Sequence, residues 1–198
     1  MLDLGLKAKK ILITASNGGL GPSIARDFAE QKCELILVSK DKNKLKNFSN
    51  FYKKKYNVKT NYFSLNLEKK DSPKKLYSLL NSKKLYPDVI IHHLGGPMNI
   101  KSSMSSLNEW QKVFWNNFFF SVEFNRLIIP KIINKKFSRI INVSSISAIN
   151  LRGSGPYGCA KAALNAYTIT LGRELAKSKL VISAIMPGAF VSKNGPWD

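Results

Sequence analysis

Tyr157 and Lys161 stand four residues apart, a spacing that puts both side chains on one face of a helix. An ammonium beside a phenol favours the phenolate and draws its pKa down from about 10 toward the neutral range. A phenol so placed serves as general acid for carbonyl reduction, or as base for the reverse oxidation. The pair alone carries little weight, because a chain this rich in Lys yields a Tyr-x-x-x-Lys about once by chance. Its setting carries more: the pair opens a helical stretch after an apolar run ending Asn142-Val143-Ser144-Ser145.

A second element of chemical interest follows the first apolar run, Thr14-Ala15-Ser16-Asn17-Gly18-Gly19-Leu20-Gly21-Pro22. A glycine-rich turn between a strand and a helix lets backbone N–H groups and the helix N-terminus face a pyrophosphate. Pro22 suits the first helical turn, where its missing N–H is not needed. Thr14, Ser16, Asn17, Gly19, Leu20 and Gly21 are therefore candidate cofactor contacts, against the plainer reading of a tight structural turn. In a dinucleotide-binding sheet an acidic residue ending the second strand holds the ribose 2′-OH of NAD. Here that place is Ser39, followed by Lys40. A hydroxyl and a cation favour a 2′-phosphate, so NADP(H) is expected over NAD(H), which stays the alternative. Asp41 weakens this expectation, its two readings being to neutralise Lys40 or to cap the next helix.

These motifs resemble the short-chain dehydrogenase/reductase family, and the resemblance extends over essentially the whole chain. The glycine turn is similar to the family's Thr-Gly-x-x-x-Gly-x-Gly, with Ala15 replacing the first glycine. That change is mild if Ala15 keeps a negative φ and costly otherwise. The resemblance implies that Ser145 hydrogen-bonds the substrate carbonyl, with Ser144 structural. It implies that Lys161 also holds the nicotinamide ribose, and that Asn66 stands near the adenine where relatives carry Asp. Leu94 and Gly95 would approach the cofactor by their backbone, and Pro187, Gly188, Phe190 and Ser192 would hold the carboxamide end of nicotinamide. Asn117, seven residues after Trp110, matches the family's relay asparagine. An amide on the stripe Leu107, Trp110, Phe114, Asn117, Phe118 and Ser121 must in any case find hydrogen bonds, and a satisfied core amide is the plainer reading.

Other residue types give less. His92 and His93, where relatives carry Asn-Asn, are the only histidines, and no supporting cluster suggests a metal. No nucleophile elbow accompanies them. They are expected to be structural or to contact the cofactor. Cys159 reads as a packed thiol rather than a nucleophile.

The elements that must position these residues alternate along the chain. Strands are expected at 10–14, 34–39, 60–65, 88–94, 139–144 and 180–186. Helices are expected near 22–31, 41–56, 73–83, 106–134 and 157–177. Short runs apolar on both faces, separated by helices, require a parallel sheet covered on both sides. The expected fold is one α/β domain over 1–198, a doubly wound Rossmann sheet of about six strands in the order 3-2-1-4-5-6. Relatives continue past this point with a substrate-covering segment, a helix and a seventh strand. The expectation is thus a C-terminally truncated chain, either a fragment or a short variant, with strand six an uncovered edge.

The chain has 198 residues, 44% of them hydrophobic, which excludes wholesale disorder. No apolar run is long enough for a membrane span, and no secretory signal is visible at the start. Two cysteines suggest no disulfide framework and point to a reducing cytoplasm. The formal charge of +20 is uneven: +1 over residues 1–39, +11 over 40–84 and +8 over 85–198. Such a block could bind nucleic acid, but it lacks interleaved Arg and a nucleic-acid motif, so lysines on solvated faces are the expectation. Phe118-Phe119-Phe120 exceeds one core stripe and suggests a homo-oligomer interface, a dimer or tetramer.

The function expected from all this is an NADP(H)-dependent oxidoreductase interconverting a carbonyl and a secondary alcohol through Asn117, Ser145, Tyr157 and Lys161. Its small-molecule substrate would be an oxoacyl thioester, a sugar nucleotide or a small ketone. The alternatives are a dinucleotide-binding module without catalysis and, further off, a basic nucleic-acid-binding protein.

Overall fold

Runs such as Ile-Leu-Ile at 11–13 and Leu-Ile-Leu-Val at 35–38 have no polar face, so only a strand covered on both sides can hold them. The computed structural model, which describes residues 4–150 and 153–188, arranges six such strands in one parallel sheet. They are β1 (Lys10–Thr14), β2 (Glu34–Ser39), β3 (Thr60–Ser64), β4 (Val89–His92), β5 (Ser138–Val143) and β6 (Leu180–Ile185). The order is β3-β2-β1-β4-β5-β6, the order expected of a doubly wound sheet.

Alternate residues of each strand feed two cores. Leu12, Ile36, Ile90 and Ile140 face helices α3 (Ser72–Ser82) and α5 (Phe120–Ile132), meeting Leu76, Leu80, Phe120, Phe124 and Ile128. Ile11, Ile13, Leu35, Leu37 and Ile91 face α1 (Gly21–Glu30) and α2 (Lys42–Tyr56), meeting Ala25, Ala29, Leu45 and Tyr52. Asp41 caps α2, its carboxylate accepting from the Lys44 N–H at 2.9 Å. Every lysine from 40 to 84 is exposed, so the basic block decorates the sheet's flank rather than entering the core.

The expected unbroken helix over 106–134 is corrected. Helix α4 (Leu107–Phe114) starts on a capping box of Ser106 and Glu109, then gives way to a π-helical turn over Trp115–Phe119 before α5. The extra residue of a π turn rotates the following face. The buried side runs through Val113, Asn117, Phe120 and Phe124, while Leu107 is 74% exposed and leaves the predicted stripe. Helices α6 (Ser147–Asn150) and α7 (Gly155–Glu174) complete the described chain. A single turn like α6 carries no periodicity from which to foresee it.

Because β1 pairs with β2 on one side and β4 on the other, the chain reverses its winding between β1 and β4. Loops after these strands diverge there and leave a crevice at their carboxyl ends. Among the described residues β6 is an edge strand, with Val181 and Ile185 about half exposed.

Candidate functional site

The crevice is a cleft of about 1250 Å³ running from the glycine turn, past the ends of β2, β4 and β5, to the start of α7. Glycine is required at two places, one beneath the cleft and one in its wall. A Cβ on Gly21 would lie 2.8 Å from the backbone of Ser16, because α1 begins directly under the turn. Gly95 has φ +154, and its added Cβ would strike the Asn117 amide oxygen and lie 3.0 Å from Lys161 Nζ. Ala15 adopts φ +52, so the replacement of glycine there is the costly case, worth about 1 kcal/mol of backbone strain.

The expected cofactor contacts divide into two groups. Asn17, Gly19, Leu20, Ser39, Lys40, Asn66, Leu94, Gly95, Pro187 and Gly188 line the cleft. Thr14, Ser16 and Gly21 are buried beneath it. Thr14 is a strand tie: its hydroxyl donates to the Ile91 carbonyl at 3.3 Å and accepts from the N–H groups of His93 and Leu94 at 2.9 and 3.2 Å. Ser16 hydrogen-bonds the Val38 carbonyl through its own N–H at 3.1 Å. Phe190 and Ser192 lie outside the described residues. Ser39 is buried and its hydroxyl donates to the Asn17 amide oxygen. Lys40 is exposed and pairs with Glu68 at 3.5 Å. Asp41 is spent on the helix cap rather than on Lys40. The Asn66 side chain accepts from the Glu68 N–H at 3.0 Å, which turns the chain after β3.

At the other end of the cleft, Ser154 caps α7 and accepts from the Tyr157 N–H at 3.3 Å. This supporting residue was legible as a hydroxyl just ahead of Gly-Pro at a helix start, an N-cap signal that sequence reasoning passed over. Ser145 lines the cleft beside Tyr157 and draws its phenol down, its Oγ accepting from the Ser147 N–H at 3.1 Å, while Ser144 is buried and donates to the Lys161 carbonyl at 3.3 Å. The structure thus brings Ser145, and not Ser144, to the phenol.

The Tyr157–Lys161 interaction differs from the expectation. Lys161 is 3% exposed, with Nζ donating to the Val143 carbonyl at 2.7 Å and lying 5.8 Å from the Tyr157 ring centre. Burial pushes its pKa down to about 7, so it is a weak source of positive charge near neutral pH. Burial also pushes the Tyr157 phenol up, and the opposing pull comes from Ser145, not from Lys161. The expected lowering of the phenol by its neighbour fails because the same burial that brings them together removes solvent from both.

Asn117 is buried in the π turn. Its amide donates to the carbonyls of Gly96 and Val113 at 2.9 and 2.8 Å and accepts from the Gly96 N–H at 2.9 Å. The side chain therefore clasps the loop after β4, the arrangement of a satisfied core amide. Asn116 points instead toward Met98, 2.8 Å from its sulfur.

The two histidines part company. His92 is wholly buried, 2.8 Å from the Asn125 amide oxygen and edge-on to Phe120 and Phe124. His93 lines the cleft. Among the described residues no group of three His, Cys, Asp or Glu could hold a metal ion. Cys159, expected packed, is exposed because its helix position faces away from the sheet.

Residues 9–195 match the family model described as short chain dehydrogenase. The 3-oxoacyl-(acyl-carrier-protein) reductase FabG of Rickettsia prowazekii is 30% identical over 193 residues, 97% of this chain and 76% of that protein. Among solved structures, L-sorbose reductase from Gluconobacter frateurii, complexed with NADPH and L-sorbose, superposes with a TM-score of 0.88. It is 24% identical, over 94% of this chain and 72% of that one. An NAD+-bound xylitol dehydrogenase matches with a TM-score of 0.82 at 18% identity, over 92% and 71% of the two chains.

Proposed function

The chain belongs to the short-chain dehydrogenase family of oxidoreductases, and from that premise we propose that its cleft binds NADP(H) and reduces a carbonyl to a secondary alcohol. The bound nicotinamide supplies or accepts the hydride. The cleft fits such a group, because Gly19 and Gly95, which carry no side chain, line it where a dinucleotide backbone must approach. Gly19, Leu20 and the start of α1 would hold the diphosphate, with Asn17, Ser39 and Lys40 toward the adenosine end. Lys40 can exchange its exposed pairing with Glu68, worth little in water, for a charge-assisted bond to a 2′-phosphate.

The observation that carries the reading is the cluster of Ser145, Tyr157 and Lys161 at the far wall of the cleft. Tyr157 donates the proton to the reduced oxygen, and a phenol raised by burial keeps that proton ready through neutral pH. This favours the reductive direction. Ser145 shares the substrate oxygen with the phenol and polarises it. Lys161 touches the loop carrying Gly95 and would hold the nicotinamide ribose, while Asn117 is a positioning residue that keeps that loop in place.

Titrating protein fluorescence with NADPH and NADH, then assaying turnover on a panel of ketones, tests the reading. NADPH should bind more tightly than NADH, and Lys40→Ala should erase most of the difference. Tyr157→Phe should lower kcat by about 10²–10⁴ while leaving NADPH affinity within a few-fold. Binding without turnover on any ketone would favour a cofactor-binding module, and no binding of either nucleotide would overturn the proposal.

A further inference from the structure

We infer that His93 couples dinucleotide binding to proton uptake: its imidazole takes up a proton as the diphosphate settles in the glycine turn and then donates a hydrogen bond to it. This rests on the cofactor reading proposed above and adds a proton-linked group to it.

The geometry is specific to one ring edge. The His93 N–H is pinned by Thr14 Oγ1 at 2.9 Å, which fixes the residue at the mouth of the cleft. Its Nδ1 lies 3.4 Å from the Ala15 carbonyl oxygen, an atom that can only accept, so Nδ1 carries the hydrogen. That leaves Nε2 as the site where a further proton is gained. The Cε1–Nε2 edge faces Gly19, close enough that a Cβ there would sit 3.4 and 3.5 Å from these two atoms. The imidazole is thus stacked at the turn that would cradle the diphosphate, with its titrating nitrogen on the turn's side.

Neutral, Nε2 presents a lone pair to an anion; protonated, it presents a donor and a charge. The chain from Ile11 to Gly21 has no ionisable side chain to compete. Helix α7 brings Lys161 and Tyr157 to the cleft, and the adjoining His92 is buried against Asn125. Burial holds His93 below the ordinary histidine range against the pull of the Ala15 carbonyl, with Lys161 a smaller push in the same direction, so the free protein carries it neutral at neutral pH. The negative charge of an incoming diphosphate opposes this lowering by favouring the imidazolium.

NADH is the suitable probe, because the 2′-phosphate of NADPH itself titrates near pH 6. With wild type, the NADH dissociation constant should rise by up to about tenfold per pH unit within the window between the free and bound pKa values. Calorimetry in buffers of different ionisation enthalpy should register proton uptake on binding. His93→Asn should flatten the affinity profile and reduce the uptake by up to one proton, with Lys161 present in both proteins so that its share cancels. Since His92 and His93 are the only histidines, ring resonances of the unmutated protein provide a second readout. One of the two should titrate at least a unit higher with NADH bound. An unchanged profile in His93→Asn, or no change in either ring's titration, overturns the inference while NADH binding persists. Absence of NADH binding at every pH overturns the cofactor reading and this inference together.

Discussion

Ala15 and His92 show how single side chains here carry costs that their neighbours absorb. Ala15 occupies a left-handed conformation that glycine adopts freely. Ala15→Gly should therefore raise stability by about 1 kcal/mol, less the extra entropy glycine has when unfolded. Denaturant midpoints of the two proteins check this, and a midpoint that falls would contradict the strain. His92 is held near a pKa of about 4, first by burial and then by Lys161, against the pull of Asn125. The unfolded chain binds that proton with a pKa near 6.5, so it takes up more protons than the folded state between these values. Stability should be fully present above pH 6.5 and decline as pH falls toward 4, by on the order of 3 kcal/mol for this group. His92→Asn should show a shallower acid limb than wild type in urea melts at pH 4 to 7. His93 also lies below its ordinary value and adds to the same limb, which is why the difference between proteins is the measure.

At the scale of elements, the site depends on the loop after β4 being held in place. The loop after β4 is clasped by Asn117 from the π turn and abuts Lys161 from α7, with Gly95 leaving room for both. Gly95→Ala should cost about 1–3 kcal/mol and weaken dinucleotide binding at least tenfold. Gly96→Ala is the matched control, because a Cβ there meets nothing within 4 Å while its φ of +144 remains unfavourable. Thermal melts and fluorescence titrations of the two variants should separate collision from backbone strain; equal losses would put the cause in backbone strain. The elements themselves were largely legible. The limits of β1 and β2 match the expected ones, since each apolar run is bracketed by a charged residue at its start and a small hydroxyl residue at its end. The π turn was not legible, because Trp115 to Phe119 fits helical periodicity and only the packing of Asn117 against Gly96 shows where the extra residue enters.

For the molecule as a whole, the charge of +20 is a source of self-repulsion. The lysines of α2 and α3 face solvent, so salt should screen their repulsion. The melting temperature should rise between about 10 mM and about 200 mM NaCl, a range over which the screening length falls severalfold. A fall would mean that attractive surface pairs dominate, which the scarcity of acidic residues opposes. No helix among the described residues is long and apolar enough to cross a membrane.

The linear order of residues determined the parallel sheet and its strand order. Buried runs, glycine turns and Tyr-x-x-x-Lys are local signals that survive without coordinates. Tertiary structure decided what those residues are worth as acids and bases. Whether Lys161 lowers the Tyr157 phenol depends on how much solvent each loses and on which carbonyl the ammonium meets. Whether Asn117 is a relay or a clasp depends on a loop 21 residues away in sequence. His92 and His93 are identical neighbours in the chain, yet one is sealed in the core and the other opens on the cleft. Alternation along a strand puts them on opposite faces, and only the layers packed outside those faces make one structural and the other available for chemistry.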